Sequence, residues 1–157
     1  MEPSLQDRYY SAGTCFGCGP SNRHGLQIKS YSADNGVAAT WAASDKYDNG
    51  FGFVNGGIIS TLLDCHSAAC LMKETVERYG DFCIDDFEHF DDRHPVYLTN
   101  QITVTFRRPV LLCRPVELFS QCVSWGDDAC RFSSELRFDG KLAASADVAW
   151  KRFRPRR

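Results

Sequence analysis

The 157-residue chain has no long hydrophobic run, no surplus of charge of either sign, no internal repeat and no low-complexity linker. Each absence closes a class of function. A span across a bilayer needs about 20 apolar residues in succession, and without one we expect no membrane partner. A formal net charge of -2 supplies no pull toward nucleic acid or an anionic surface. Residues 1–13 are polar and lack the apolar segment of a signal peptide, so no secretory signal is expected. With nothing to divide them, residues 1–157 are read as one domain, long enough for a sizeable core.

A second CxxC motif is also missing. Cys15-Phe16-Gly17-Cys18, with His24 close by, supplies half of a zinc-binding pattern. A structural site needs four ligands, usually from two such pairs. The expectation is therefore a tight glycine-rich turn and no metal. Eight cysteines would suit a disulfide scaffold, but their settings do not. Cys65 and Cys70 fall in an apolar run, and Cys122 and Cys130 in strand-like stretches, where free cysteine behaves as a small hydrophobe. That usage fits a reducing cytoplasm.

What is present is patterned. The 43% hydrophobic content belongs to a soluble globular chain. Residues 26–32 and 36–43 read as two short strands joined by an Asp34-Asn35-Gly36 turn. A loop rich in Gly, Asn and Asp follows over 44–57. Residues 57–79 are helical in pattern, with Gly80 as the stop, and 58–72 are apolar nearly all round, which marks a buried helix. Next comes a loop with six acids among residues 81–92. Four strands close the chain over 96–109, 116–125, 129–140 and 141–153, the last three joined by short turns. In the first of them Leu98, Asn100, Ile102, Val104 and Phe106 alternate with Tyr97, Thr99, Gln101, Thr103 and Thr105. One very apolar helix beside so much sheet should be wrapped by it, an α+β arrangement.

Asp64 is the one carboxylate inside the apolar stretch 58–72 of that helix. A buried structural acid wants a nearby cation, yet positions 60, 61, 67 and 68 are Ser, Thr, Ser and Ala. A chemical role is the better reading.

Three motifs then carry a resemblance. Residues 52–64, with Asn55-Gly56-Gly57 and Asp64, resemble the helix start of the PaaI-type acyl-CoA thioesterases, where His-Gly-Gly is followed by Asp nine residues after the His. Residues 103–110, "TVTFRRPV", resemble that family's strand ending in an aromatic, a basic pair and Pro. Residues 15–31 resemble its N-terminal CxxCGxxNxxGL stretch. The resemblance implies a hotdog fold of about six curved antiparallel strands around a long helix. It also implies thioester hydrolysis of an acyl-CoA, with no metal and no cofactor beyond the coenzyme A of the substrate.

Residue by residue, the resemblance gives the N–H of Gly57 as an oxyanion donor and Asp64 as general base or nucleophile. Asn49 falls where related enzymes hold the attacking water, and Thr99 where the partner subunit supplies a hydroxyl. Asn55 stands in place of the usual His. It caps a helix or orients a carbonyl, but it does not shuttle protons near neutrality. Gly56 lets a substrate approach the backbone, Ser67 lies on the Asp64 side, and Arg107 and Arg108 suit phosphates; the basic segment 151–157 suits them too, but reads first as a solvated tail. His66 is about 200° of helical rotation from Asp64, so it is read as a buried, hydrogen-bonded histidine.

Gly57 and Asp64 are also about 10 Å apart along one helix. One reacting carbon cannot touch both, so the site is expected at the interface of a homodimer, or of a dimer of dimers. Two alternatives remain open: a hotdog hydratase or dehydratase, and a non-catalytic acyl-CoA-binding protein.

Overall fold

In the computed structural model, which describes residues 2–80 and 95–154, a single long helix lies across a six-stranded antiparallel sheet. Chain order is α1 (Leu5–Tyr9), β1 (Ser30–Ala33), β2 (Gly36–Ala42), a 3-10 turn (Asp45–Tyr47), α2 (Gly56–Tyr79), then β3 (Tyr97–Phe106), β4 (Pro115–Ser124), β5 (Ala129–Phe138) and β6 (Lys141–Arg152). Spatial order is β1-β2-β4-β5-β6-β3, so β3 crosses to an edge beside β6. The acidic loop and residues 155–157 of the basic tail lie outside the described residues. Lys151 and Arg152 lie in β6, within the strand expected over 141–153.

Helix α2 starts because Asn55 has extended backbone and its side chain accepts from the N–H of Gly57. It stops at Gly80, whose φ of 93° is easy only for glycine and whose N–H reaches back to Val76. Leu62, Leu63 and Cys70 are fully buried against the sheet side chains Leu118, Phe132, Leu136 and Val148. This contact makes the core, and truncating Phe132 to Ala is expected to cost about 3–5 kcal/mol.

Three details depart from the sequence reading. The first strand begins at Ser30, not at residue 26. Gln27 takes a φ of 54°, and the N–H groups of Leu26 and Ile28 bond the carbonyls of Phe16 and Gly17. The CxxC turn thus claims backbone that a strand would have used. Second, α1 was not anticipated; Ser4 caps it by accepting from the N–H of Asp7. Third, β3 does not alternate throughout, because its register on β6 slips between Thr99 and Gln101. The slip is a bulge at Asn100, and it moves the side chains beyond it to the other face. Tyr97 is buried before the bulge, while Ile102 and Val104 are the half-buried positions after it. Thr99 therefore shares the helix-facing side with Ile102 and Val104, rather than the outer side with Thr103 and Thr105.

Candidate active site

Asp64 sits on α2, half-buried, in the wall of a cavity of about 320 Å³ that Cys15, Cys65, Leu71, Tyr97 and Thr99 also line. Thr99 donates its hydroxyl to Asp64 Oδ1 at 2.9 Å. Thr99 and Asp64 thus meet within one chain. Burial pushes the Asp64 carboxyl above the usual carboxylate range; the Thr99 hydrogen bond opposes this and negative charge at Cys15 adds to it. The arrangement is an oriented proton acceptor facing an apolar space.

Two neighbours of Asp64 are structural. Ser67 is fully buried, donates to the backbone carbonyl of Asp64 at 2.7 Å, and accepts from Trp150 Nε1 at 3.0 Å. It holds the helix to β6, and the expected substrate contact is not available to it. His66 is equally buried. Its Nε2 donates to the Val37 carbonyl at 3.1 Å, and its Nδ1 accepts from the Ser30 hydroxyl at 2.9 Å. Ser30 is held in turn by Gln6 Nε2. Burial lowers the His66 pKa to about 4, so the ring is a neutral strut between helix and sheet.

The other expected residues gather at the start of α2. Asn49, Gly56, Phe106, Arg107 and Arg108 line a second cavity of about 370 Å³. The N–H of Gly57 is already engaged, donating to Asn55 Oδ1 at 2.8 Å. The donor expected at Gly57 is thus occupied by its own cap. Gly56, one residue earlier, lines the cavity, and among the described residues its N–H has no partner. A Cβ on Gly56 would come to 3.4 Å from the Phe106 ring, so the missing side chain keeps the helix start open. Asn49 spends its carbonyl oxygen on the N–H of Phe51 at 2.9 Å, which leaves its amide hydrogens available. Arg107 and Arg108 both anchor their N–H groups on the Ala143 carbonyl and present exposed guanidinium groups. Of the five phenylalanines offered for an acyl pocket, Phe53 lines this second cavity. Phe51 is 83% exposed, and Phe82, Phe87 and Phe90 lie outside the described residues.

No residue is common to the two cavities. Gly56 and Asp64 are eight residues apart, about 12 Å along the helix axis. One chain thus carries two separated groups of polar residues.

Sequence reasoning missed one feature. The sulfurs of Cys15, Cys18 and Cys65 lie within 4.8 Å of one another at the edge of the first cavity. Cys65 is far from the CxxC turn in sequence, and only the packing of the N-terminal segment on α2 brings it there. No spacing motif carries that signal.

No family model matches the chain, and no curated protein matches it. Solved structures do. A phenylacetic acid degradation-related protein from Ralstonia eutropha superposes with a TM-score of 0.66 at 20% identity, over 86% of this chain and 92% of that one. The E. coli PaaI protein of the phenylacetic acid degradation operon gives 0.62 at 18% identity, over 82% and 80%. A hypothetical thioesterase protein from Streptococcus pneumoniae, solved with coenzyme A, gives 0.63 at 16% identity, over 80% and 87%. The fold is the hotdog fold. At these identities the likeness is one of architecture, and the hotdog sheet around α2 is what the chains share.

Proposed function

We propose that the chain is an acyl-CoA thioesterase, hydrolysing an acyl-CoA to a free acid and coenzyme A in a site shared by two copies of itself. The observation that carries this reading is the division of labour along α2: a proton acceptor near its middle and an open N–H donor at its start, too far apart to serve one carbon. A two-fold axis that sets the start of one helix beside the middle of another makes the halves into one site. The edge strand β3 offers the surface for it. It is ten residues long, nothing among the described residues pairs its outer side, and Leu98 and Phe106 are both 53% exposed. The Streptococcus pneumoniae hotdog protein with coenzyme A supports the choice of substrate.

In the assembled site, ionised Asp64, oriented by Thr99, takes a proton from water, and the resulting hydroxide attacks the thioester carbon. Negative charge grows on the carbonyl oxygen, where the N–H of Gly56 and the positive end of α2 stabilise it. Collapse of the tetrahedral intermediate breaks the carbon–sulfur bond. The thiolate leaves, and the proton held by Asp64 neutralises it. Arg107 and Arg108, beside the helix start, suit the phosphates of coenzyme A, and the Asn49 amide suits the attacking water. The raised Asp64 pKa favours the general-base role over direct attack. A hydratase reading lacks its histidine: position 55 is an Asn engaged as a cap, and His66 is locked on the far side of the helix.

The test is loss of thioester ultraviolet absorbance across short, branched, long and aryl-acyl CoAs, for the wild type and Asp64→Ala. Turnover by the wild type that falls at least about a hundredfold in the variant is expected. Binding of coenzyme A without turnover on any acyl group would replace the enzyme with a binding protein.

A further inference from the structure

Three sulfurs meet where the N-terminal turn rests on α2. Cys15 and Cys18 come from the Cys15-Phe16-Gly17-Cys18-Gly19 turn and Cys65 from the helix, and all three atoms lie within 4.8 Å of one another. The Cys15 and Cys65 sulfurs are 3.7 Å apart. A tetrahedral zinc ion with Zn–S bonds of about 2.3 Å holds its sulfurs about 3.8 Å apart. The cluster therefore has the dimensions of one face of a zinc–thiolate tetrahedron.

The turn is built to put the sulfurs there. A Cβ on Gly17 would lie 2.2 Å from the Cys65 sulfur, and one on Gly19 would lie 2.3 Å from the backbone nitrogen of Cys15. Glycine at both positions lets the turn close tightly and lets Cys65 reach beneath it. Ordinary packing cysteine looks different in this protein. Cys130 is buried and donates its S–H to the Gly126 carbonyl, so it is a thiol in an apolar core. Small-hydrophobe packing explains Cys130; it does not explain three converging sulfurs.

We propose that Cys15, Cys18 and Cys65 bind one zinc ion as thiolates, with the fourth coordination position open to the cavity that holds Asp64. No fourth His, Cys, Asp or Glu among the described residues reaches the cluster, and all three cysteines line that cavity. A water from the cavity completes the tetrahedron. The ion clamps the N-terminal segment to α2 at the residue after Asp64 and so fixes one wall of the cavity. The three thiols lose their protons as the ion binds.

This proposal does not rest on the thioesterase reading, because its measurements need no turnover. Full-length protein, purified without chelator, is assayed for metals by mass spectrometry, then exchanged into cobalt(II) and scanned from the near ultraviolet to the visible. About one zinc per chain is expected. The cobalt form should show thiolate-to-metal charge-transfer absorption and the intense visible bands of a tetrahedral site. Cys65→Ser should weaken zinc binding by more than the roughly 10–100-fold that losing an outer-shell partner costs, while Cys113→Ser, at an exposed cysteine, should leave it unchanged. If Cys65→Ser does not fold, the wild-type cobalt spectrum alone decides. Wild-type protein that binds neither metal stoichiometrically overturns the proposal. So does another metal bound in place of zinc, zinc retained unchanged by Cys65→Ser, or a Cys15–Cys18 or Cys15–Cys65 disulfide found in the freshly purified chain.

Discussion

A shared site makes a sharp demand on mixed dimers. Two variants each destroy one half: Asp64→Ala removes the proton acceptor, and Gly56→Pro removes the N–H at the helix start. Proline suits that position, since it tolerates the first residue of a helix and prefers an extended predecessor, which Asn55 is, with φ -58° and ψ 137°. Each variant alone should lose at least about a hundredfold in hydrolysis, the typical cost of a catalytic base or an oxyanion donor. In a heterodimer, however, one of the two sites pairs the intact Gly56 of one chain with the intact Asp64 of the other. Random exchange makes half of the dimers mixed, so about a quarter of wild-type activity returns from two nearly dead proteins. The assay is co-expression with two different tags, sequential affinity purification of the mixed species, and thioester loss on the best acyl-CoA. Purified heterodimer should then reach about half of wild type. Heterodimer no more active than its parents would mean that both groups serve one chain, and the reasoning from helix length would be wrong.

Thr99→Val keeps the shape but removes the hydrogen bond that orients Asp64. Bonds to charged groups are worth about 1.5–3 kcal/mol when buried, and the exposure of Thr99 discounts this toward the low end. The rate should fall about tenfold, and Thr99→Ser should restore it; equal rates for all three would remove Thr99 from the site. His66 gives a pH prediction that needs no substrate. Its pKa is about 4 folded and 6.5 unfolded, so the unfolded chain binds the extra proton between those values. The contribution is whole above pH 6.5 and is lost as pH falls toward 4, on the order of 3 kcal/mol in all and about 2 kcal/mol between pH 7 and pH 5. Urea denaturation at the two pH values measures it, and an imidazole resonance of His66 that titrates near 6.5 in the folded protein would refute it.

Much of the architecture was legible because its signals are local. An apolar stretch bounded by Asn55 and Gly80 announces a buried helix, and turns at Asp34-Asn35-Gly36 and Asp139-Gly140 announce hairpins. Asp64 was legible for the opposite reason, as a charge out of keeping with its surroundings. What escaped is non-local. The bulge at Asn100 depends on how β3 docks on β6, and it decides whether Thr99 faces helix or solvent. The open N–H at the helix start is that of Gly56 and not of Gly57, because a side-chain cap takes one particular N–H, which spacing alone does not reveal. Ser67 was assigned to substrate from helical phase, but Trp150, from a distant strand, had already claimed its hydroxyl. Cys65 joined Cys15 and Cys18 only through tertiary packing.

The helix also reads as a ruler for the acyl group. From Asp64, a stripe of Ala68, Leu71, Met72 and Thr75 runs along the cavity wall, at the 3–4 residue spacing of one helix face. It extends about 16 Å toward the end of α2. Carbon lines most of it, with Tyr97 and Trp150 also in the wall, so on the proposed thioesterase reading the chain of the acid, rather than the nucleotide, belongs there. Ala68 is the smallest side chain of that stripe, one turn beyond Asp64. Ala68→Phe should plug the stripe while leaving Asp64 and Thr99 in place. Long and aryl acyl-CoAs should then lose most of their kcat/KM, whereas acetyl-CoA, which ends before Ala68, should change by no more than a few-fold. The comparison is internal to one variant, so a folding defect cannot imitate it. Equal losses for short and long substrates would show that the acyl chain leaves Asp64 by another path.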